Sequence, residues 1–362
     1  MIETLPPGML FLLKLLLILF LVASLLILVK KLFGWQLSKS FVLNISLLCI
    51  SLTFILGISE VFVRIFYSDI TTTADNSSYF AQRWKEQQPE QINSMGFRER
   101  EINSPHPDTY RIVVIGDSFT YGQGVKKSQR VTDILEQQLN TSDIQYEVLN
   151  FGRPGAETRD HLEILKKHVL NINPDYILLQ WFINDVEGSD YSDRPKFWRL
   201  LPSDYLNQYL HNHSALYFLV KQKWQNLQQL IGIVPDFSYT QYMVKRFKDL
   251  NNNDSQRARG ELAAFIDLCK EKGIPVGIVA FPGFSNDLLT TYPLGFLLDR
   301  VSTLCKEKDI PCVDLRSAFS KVDHPSKLWV NKFDHHPNHL AYKISAEEIM
   351  KQFAQHWHPK KQ

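Results

Sequence analysis

Arg111-Ile-Val-Val-Ile-Gly-Asp-Ser-Phe-Thr-Tyr-Gly122 is the stretch on which the reading of this chain turns. Its residues 112–115 are all β-branched, the pattern of a strand buried on both faces. The run ends in Gly116 and delivers Ser118 just past the strand's carboxyl end. In open α/β sheets ligands bind at that edge. A serine there can act as a nucleophile if a base and hydrogen-bond donors converge on it, or it can simply cap the following helix. Gly-Asp-Ser alone does not decide between the two.

The rhythm continues downstream. Apolar runs at 146–150, 176–182, 275–281 and 311–315 alternate with helix-period segments at 128–139, 159–170, 256–270, 297–306 and 339–353. This predicts a parallel sheet with helices on both faces, and right-handed crossovers leave only a few doubly wound orders. Within 176–182 the polar exception is Gln180. Residues 187–254 break the rhythm and read as a mostly helical insertion above the sheet's carboxyl edge, serving as a cap on the site or as a docking surface.

Ahead of the sheet lie two long apolar stretches. Residues 9–29 are nearly all Leu, Ile, Phe and Val, and residues 41–62 form a second, somewhat more polar run. At about 1.5 Å rise per residue each is long enough to cross a bilayer. The leader is not basic and no small-residue cleavage site follows it, which favours a two-helix hairpin over a cleaved signal. Lys30, Lys31 and Lys39 place the connector in the cytoplasm, so the rest of the chain is expected outside. Lys14 is close enough to the outer end to snorkel. The reading is a membrane protein with two spans and an extracytoplasmic domain. The hairpin covers 1–66, a linker and edge segment 67–107, and the main domain 108–358. Within the linker, Asn93-Ser-Met-Gly-Phe-Arg98 reads as a segment packed on the domain edge, with a substrate role for Arg98 as the alternative.

Composition narrows the function. Forty Lys and Arg against thirty-eight Asp and Glu give a net charge of +2. Without a basic block interleaved with aromatics, nucleic acid is not an expected partner. Cys49, Cys269, Cys305 and Cys312 form no CxxC, which argues against a disulfide framework or a zinc site. Cys305 and Cys312 are near enough in sequence for a bridge to be open.

Four short blocks end strands or precede a helix. Besides Gly116-Asp-Ser118 there is Asn150-Phe-Gly-Arg-Pro-Gly155, where Gly152 allows close backbone approach and can turn its N–H toward a developing oxyanion. An ordinary left-handed turn is the plainer alternative. Asn184-Asp185 follows the most apolar strand, and its amide can donate to the same oxyanion or serve as a turn. Asp334-His-His-Pro-Asn338 precedes the last helix, and a carboxylate there can orient a histidine and stabilise its imidazolium. Together with Asp323-His324 the same histidines could suggest a metal, but no helix-spaced pair or fitting third ligand is evident. The placement of all four blocks at one sheet edge is the specific signal.

On these blocks the chain resembles the SGNH hydrolases, the GDSL-type esterases and lipases, over residues 111–355. The resemblance implies a three-layer, flavodoxin-like α/β/α sandwich and a serine ester hydrolase needing no cofactor and no metal. It makes Ser118 the nucleophile, His336 the base and Asp334 its orienting carboxylate. The oxyanion hole would comprise the Ser118 N–H, the Gly152 N–H and the Asn184 side chain. His336 is preferred to His335 because Pro337 follows it, as in the family. Two departures stand out: Phe182 occupies the usual glycine of Gly-x-Asn-Asp, and Asp334-x-His336 replaces Asp-x-x-His, with Phe333 at the usual Asp position. An envelope-tethered esterase implies O-acyl, particularly O-acetyl, groups on cell-surface or exported glycans as substrate. An O-acyltransferase and a non-catalytic assembly or glycan-binding module are the alternatives.

Overall fold

A computed structural model describes residues 38–88, 92–104, 108–141, 144–188, 197–234, 238–284, 288 and 292–357. The apolar run at 9–29 and most of the basic connector lie outside the described residues. In chain order the helices and strands are α1 (Lys39–Phe66), α2 (Tyr79–Gln87), β1 (Thr109–Gly116), the four-residue α3 (Ser118–Tyr121), α4 (Val131–Leu139), β2 (Gln145–Gly152), α5 (Thr158–Lys167) and β3 (Tyr176–Phe182). They continue with α6 (Asp204–His213), α7 (Ala215–Leu230), α8 (Tyr239–Phe247), α9 (Asn253–Glu271), β4 (Val276–Phe281), α10 (Gly295–Glu307), β5 (Cys312–Asp314), α11 (Arg316–Phe319), β6 (Trp329–Asn331), β7 (Asp334–Pro337) and α12 (His339–Phe353).

Five strands form a parallel sheet in the order β2-β1-β3-β4-β5, with β6 and β7 as a separate antiparallel hairpin. The period of two along β1 explains why the sheet is covered on both sides. Val113 and Ile115 enter one core with residues of α5, α9 and α10. Ile112 and Val114 enter the other with α4 and α12. A strand facing apolar helices on both sides can carry no regular polar alternation. The chain steps from β1 to β2 on one side and then returns to β3 on the other. The switch point therefore lies at the carboxyl end of β1, where Ser118 begins α3.

The expected elements are present, with shifts at their ends. The helix expected from 128 starts at Val131, because residues 127–129 form a 3-10 turn and Arg130 is extended. The one expected to reach 170 stops at Lys167, then a 3-10 turn leads to Asn173 in the left-handed region ahead of Pro174. A residue before proline is disfavoured in the helical region, which ends the segment. Cys305 and Cys312 form a disulfide between α10 and β5, with Cα atoms 6.2 Å apart.

The chain divides into two compact units. One contains α1, residues 75–83 and residues 197–233; the other contains the sheet with residues 72–74, 84–196 and 234 onward. The insertion is thus shared out. Its α6 and α7 group with the apolar helix, whereas Met243 and Phe247 of α8 join the core of the sheet unit.

In the first unit, Leu43–Phe66 is long and apolar enough to cross a membrane, and most of its large side chains face outward. Glu60 is one of its few buried residues. Its carboxylate accepts from Ser214 Oγ at 2.7 Å, from the Ala215 and Leu216 N–H groups at 3.0 Å each, and from Arg64 Nε at 2.7 Å. The first turn of α7 leaves its N–H groups without partners in the helix, and a carboxylate satisfies them while complementing the helix dipole. Arg64 closes the contact by donating to the His213 carbonyl at 3.1 Å. Replacing Glu60 by Ala removes a charged acceptor from several donors at once. Amide exchange at Ala215 and Leu216 is expected to quicken by about 10- to 100-fold, the equivalent of roughly 1.5–3 kcal/mol for hydrogen bonds to a charged group. Unaltered exchange there would show that Glu60 does not anchor α7.

Candidate active site

The turn that presents Ser118 is fixed from below by Gln180 of β3. Its Oε1 accepts from the Asp117 and Thr120 N–H groups, each at 3.2 Å, and from Thr120 Oγ1 at 2.9 Å. This is why a single polar residue sits inside a fully buried strand. Gly116 is required by the same packing, since a Cβ there would fall 2.2 Å from Thr120 Oγ1 and 2.4 Å from Gln180 Oε1. Asp117 caps α3 by accepting from the Phe119 N–H at 2.8 Å. The cap therefore belongs to Asp117, and the Ser118 hydroxyl points elsewhere.

It points to His336. Ser118 Oγ lies 2.7 Å from His336 Nε2, and the other ring nitrogen, Nδ1, is hydrogen-bonded to Asp334 Oδ1. Asp334 is fully buried, and the same oxygen accepts from the His336 N–H at 3.1 Å. With the carboxylate on Nδ1, that nitrogen carries the proton and Nε2 accepts the serine hydroxyl. The Asp-x-His spacing follows from local structure: residues 334–337 form a strand, and i and i+2 of a strand share one face. His335 projects to the other face and stacks on Trp329 with ring centroids 3.8 Å apart. Neighbouring histidines are sorted by strand alternation.

Asn184 sits on the 3-10 turn after β3, and its Nδ2 donates to Asp117 Oδ2 at 3.3 Å. The structure thus brings Asn184 beside the serine turn. The Ser118 N–H has no acceptor among the described residues. Gly152 departs from its expected part. Its N–H is donated to Asn150 Oδ1 at 3.0 Å and so is not available to an oxyanion in this state. Gly152 instead serves close approach, as a Cβ there would lie 2.1 Å from the Tyr121 nitrogen. Three residues on, Gly155 holds φ at +75°, and its N–H has no acceptor among the described residues.

Phe119 turns an aromatic wall toward the site. Its ring lies 4.3 Å from Phe182, 5.6 Å from Phe281 and 5.4 Å from the His336 ring. Phe182 thus fills, in contact with Phe119, the space a glycine would leave open. Arg98 is buried, and it donates to the carbonyls of Tyr121 at 3.2 Å, Gly122 at 2.8 Å and Val125 at 3.0 Å. Its contacts are those of packing on the domain edge. Asp323, read as a possible metal partner, is paired with Lys327 Nζ at 2.7 Å. Gln180 and Phe119 escaped the sequence reading of the site. An unalternated apolar strand with one amide was the signal for the former; nothing in the sequence singled out the latter.

Residues 114–344 match the GDSL-like Lipase/Acylhydrolase family, close to two thirds of the chain. The chain belongs to that family. No curated protein matches it significantly. Among solved structures it is similar to a lipase/acylhydrolase from Enterococcus faecalis, at 16% identity and a TM-score of 0.43, over 70% of this chain and 100% of that one. It is also similar to a catalytic mutant of Axe2, an acetylxylan esterase from Geobacillus stearothermophilus, at 15% identity and a TM-score of 0.44, over 72% and 99%. A third is TesA, at 12% identity and a TM-score of 0.43, over 68% and 98%. The five-stranded parallel sheet is that of the SGNH hydrolases.

Charge is concentrated beneath the serine of this GDSL-family site. Burial, with the nearby Asp185 charge, pushes the Asp117 carboxyl up to about 6, against the hydrogen bond from Phe119 and the attraction of His161 and His336. Asp185 is itself buried, 2.9 Å from His161 Nε2, and accepts from the Phe182 N–H at 2.7 Å. The folded protein therefore holds the Asp117 proton more tightly than the unfolded chain, whose carboxyl has the ordinary value of 3.8. That contribution to stability is complete below the ordinary value and is lost as pH rises through the folded one. Asp117→Asn is expected to melt a few degrees above the parent at pH 8 and to lose that advantage by about pH 4. A melting difference independent of pH would contradict this ionisation.

Proposed function

We propose that this chain is a membrane-anchored serine ester hydrolase that removes O-acyl, chiefly O-acetyl, groups from cell-envelope or exported glycans. The observation that carries the reaction class is the serine–imidazole–carboxylate relay, with Ser118 Oγ 2.7 Å from His336 Nε2 and Asp334 on Nδ1. Ser118 Oγ attacks the ester carbonyl carbon while His336 Nε2 takes its proton. The carbonyl π electrons move to oxygen, and the buried Asp334 carboxylate stabilises the imidazolium. His336 then returns the proton to the leaving alkoxide, giving an acyl-serine and a free sugar hydroxyl. Water attacks the acyl-serine through the same base, releasing the carboxylic acid and restoring Ser118.

The negative oxygen is held by the Ser118 N–H and an Asn184 Nδ2 hydrogen. The third donor proposed is the Gly152 N–H, which would exchange its contact with Asn150 Oδ1 for the oxyanion. Asp117 keeps the Asn184 amide turned to present its nitrogen. Phe119 and Phe182 supply an apolar wall that suits a small acyl group.

The envelope location is argued from α1, from the apolar run at 9–29 with its lysine-rich connector, and from the Cys305–Cys312 disulfide, since disulfides persist in oxidising compartments. Both termini of the hairpin then face outward and the hydrolase domain is periplasmic. Exported and surface glycans are acyl carriers available there.

Ser118→Ala and His336→Ala in the full-length protein are expected to lose nearly all hydrolysis of p-nitrophenyl acetate. Asn184→Ala should cost about 100- to 1000-fold in kcat, the usual effect of removing one oxyanion donor. Equal rates for the parent and Ser118→Ala would end the esterase reading. Release of free acetate from an O-acetylated glycan, measured on the same preparations, tests the substrate class.

A further inference from the structure

The nucleophile and its base reach the site on separate loops, and a short peptide just after the apolar helix touches both. Residues Thr72 and Thr73 are almost completely buried, although they precede the sheet by more than thirty positions and read in the sequence as tether. The Thr73 carbonyl accepts from Gln123 Nε2 at 2.9 Å. Gln123 is fully buried, and its own N–H donates to the Ser118 carbonyl at 3.2 Å. On the other side, the Thr72 carbonyl accepts from Asn331 Nδ2 at 2.9 Å, and the Ala74 N–H donates to the Phe333 carbonyl at 3.2 Å.

Asn331 and Phe333 belong to the hairpin that carries the base. Asn331 stands opposite Asp334 in the β6–β7 pairing, and its Oδ1 accepts from the Phe333 N–H at 2.9 Å. The two loops also meet directly through Gly124, where φ is +83° and a Cβ would fall 2.6 Å from Val330 and 2.7 Å from Thr72. Residues 72–74 therefore have one set of bonds to the Ser118 loop and another to the Asp334–His336 hairpin. Both sets use backbone groups of this peptide, so they depend on its path more than on its side chains.

We infer that residues 72–74 act as a clasp that holds Ser118 in register with His336, and that Gln123 and Asn331 are positioning residues for the ester hydrolysis proposed above, on which the kinetic part of this inference rests. The tether is then a working part of the site. A fragment starting at the main domain would keep the sheet and all three relay residues yet lack the bonds that residues 72–74 make to both loops. Small displacements are costly here, because a misplacement of about 1 Å in a reacting group can reduce rate by about 100-fold.

The test uses the full chain in detergent micelles, comparing the parent with Gln123→Leu, Asn331→Ala and the double variant. Amide exchange is read first, since it does not require any esterase activity. Gln123→Leu should quicken exchange by about 10-fold or more in the 329–337 hairpin as well as in 118–125, with no change in β4. Kinetics come second. Each single variant is expected to lose about 10- to 100-fold in kcat for p-nitrophenyl acetate with KM within about twofold. The double variant should lose less than the product of the two, as both act through one peptide. Counting reactive sites by fluorophosphonate labelling corrects for any unfolded fraction.

Exchange that rises in 118–125 alone refutes the clasp. Coupled exchange with unchanged kcat per labelled site refutes positioning while leaving the clasp as architecture. If the parent itself shows no Ser118-dependent turnover, the esterase reading falls, and the exchange data still decide whether the clasp exists.

Discussion

The contact between Ser118 Oγ and His336 Nε2 joins residues 218 positions apart, and it is the constraint on which the rest of the site depends. Neither partner lies within a long element. Ser118 opens a four-residue helix, and His336 sits on a four-residue strand. Short elements have little cohesion of their own, because the first turn of a helix fixes several dihedrals for a single bond. Their positions are therefore set from outside. Gln180 holds the serine turn from the sheet, Tyr342 Oη donates to the Phe119 carbonyl at 2.7 Å from α12, and Arg98 holds the carbonyls that follow.

Such bracing explains why so much polar chemistry is buried near this edge. Asp117, Gln180, Asp185, His161 and Asp334 are all buried, and each polar group left without a partner there would be costly. Much of the charge is matched locally. Asp334 is hydrogen-bonded to His336, Asp185 accepts from the Phe182 N–H, and Glu99 accepts from the N–H groups of Asn150 and Arg100 at 3.0 and 2.8 Å. Asp117 is the least well compensated, and it lies next to both Ser118 and Asn184. Holding a carboxylate there costs energy, and its Oδ2 accepts from Asn184 Nδ2.

The unit that contains α1 obeys the opposite rule. Along α1 most apolar side chains face outward, and the buried positions include Thr53, Glu60 and Val63. An apolar helix with an outward apolar surface suits a hydrocarbon surrounding, in which a carboxylate must find its partners within the protein. Glu60 finds them at the first turn of α7, which is why residues 197–233 group with α1 and not with the sheet into which they are inserted.

The parallel sheet and its covering helices were legible in the sequence. Hydrophobic period is a local property, and runs such as 112–115 and 176–182 exceed what an exposed strand would carry. The blocks holding Ser118, Asn184 and Asp334–His336 were visible at strand ends or ahead of a helix, whereas the roles expected of them came from the family resemblance. What the sequence did not carry was every feature set by contacts between distant segments. It could not show that the Gly152 N–H is taken by Asn150, that residues 72–74 bond to both the Ser118 loop and the 329–337 hairpin, or that α6 and α7 belong with the apolar helix. Strand alternation sorted His335 from His336 only once 334–337 was known to be extended. Patterning along a chain reports which face a residue turns to the core, whereas hydrogen-bond partners depend on which segments arrive beside it, and that is decided only by folding.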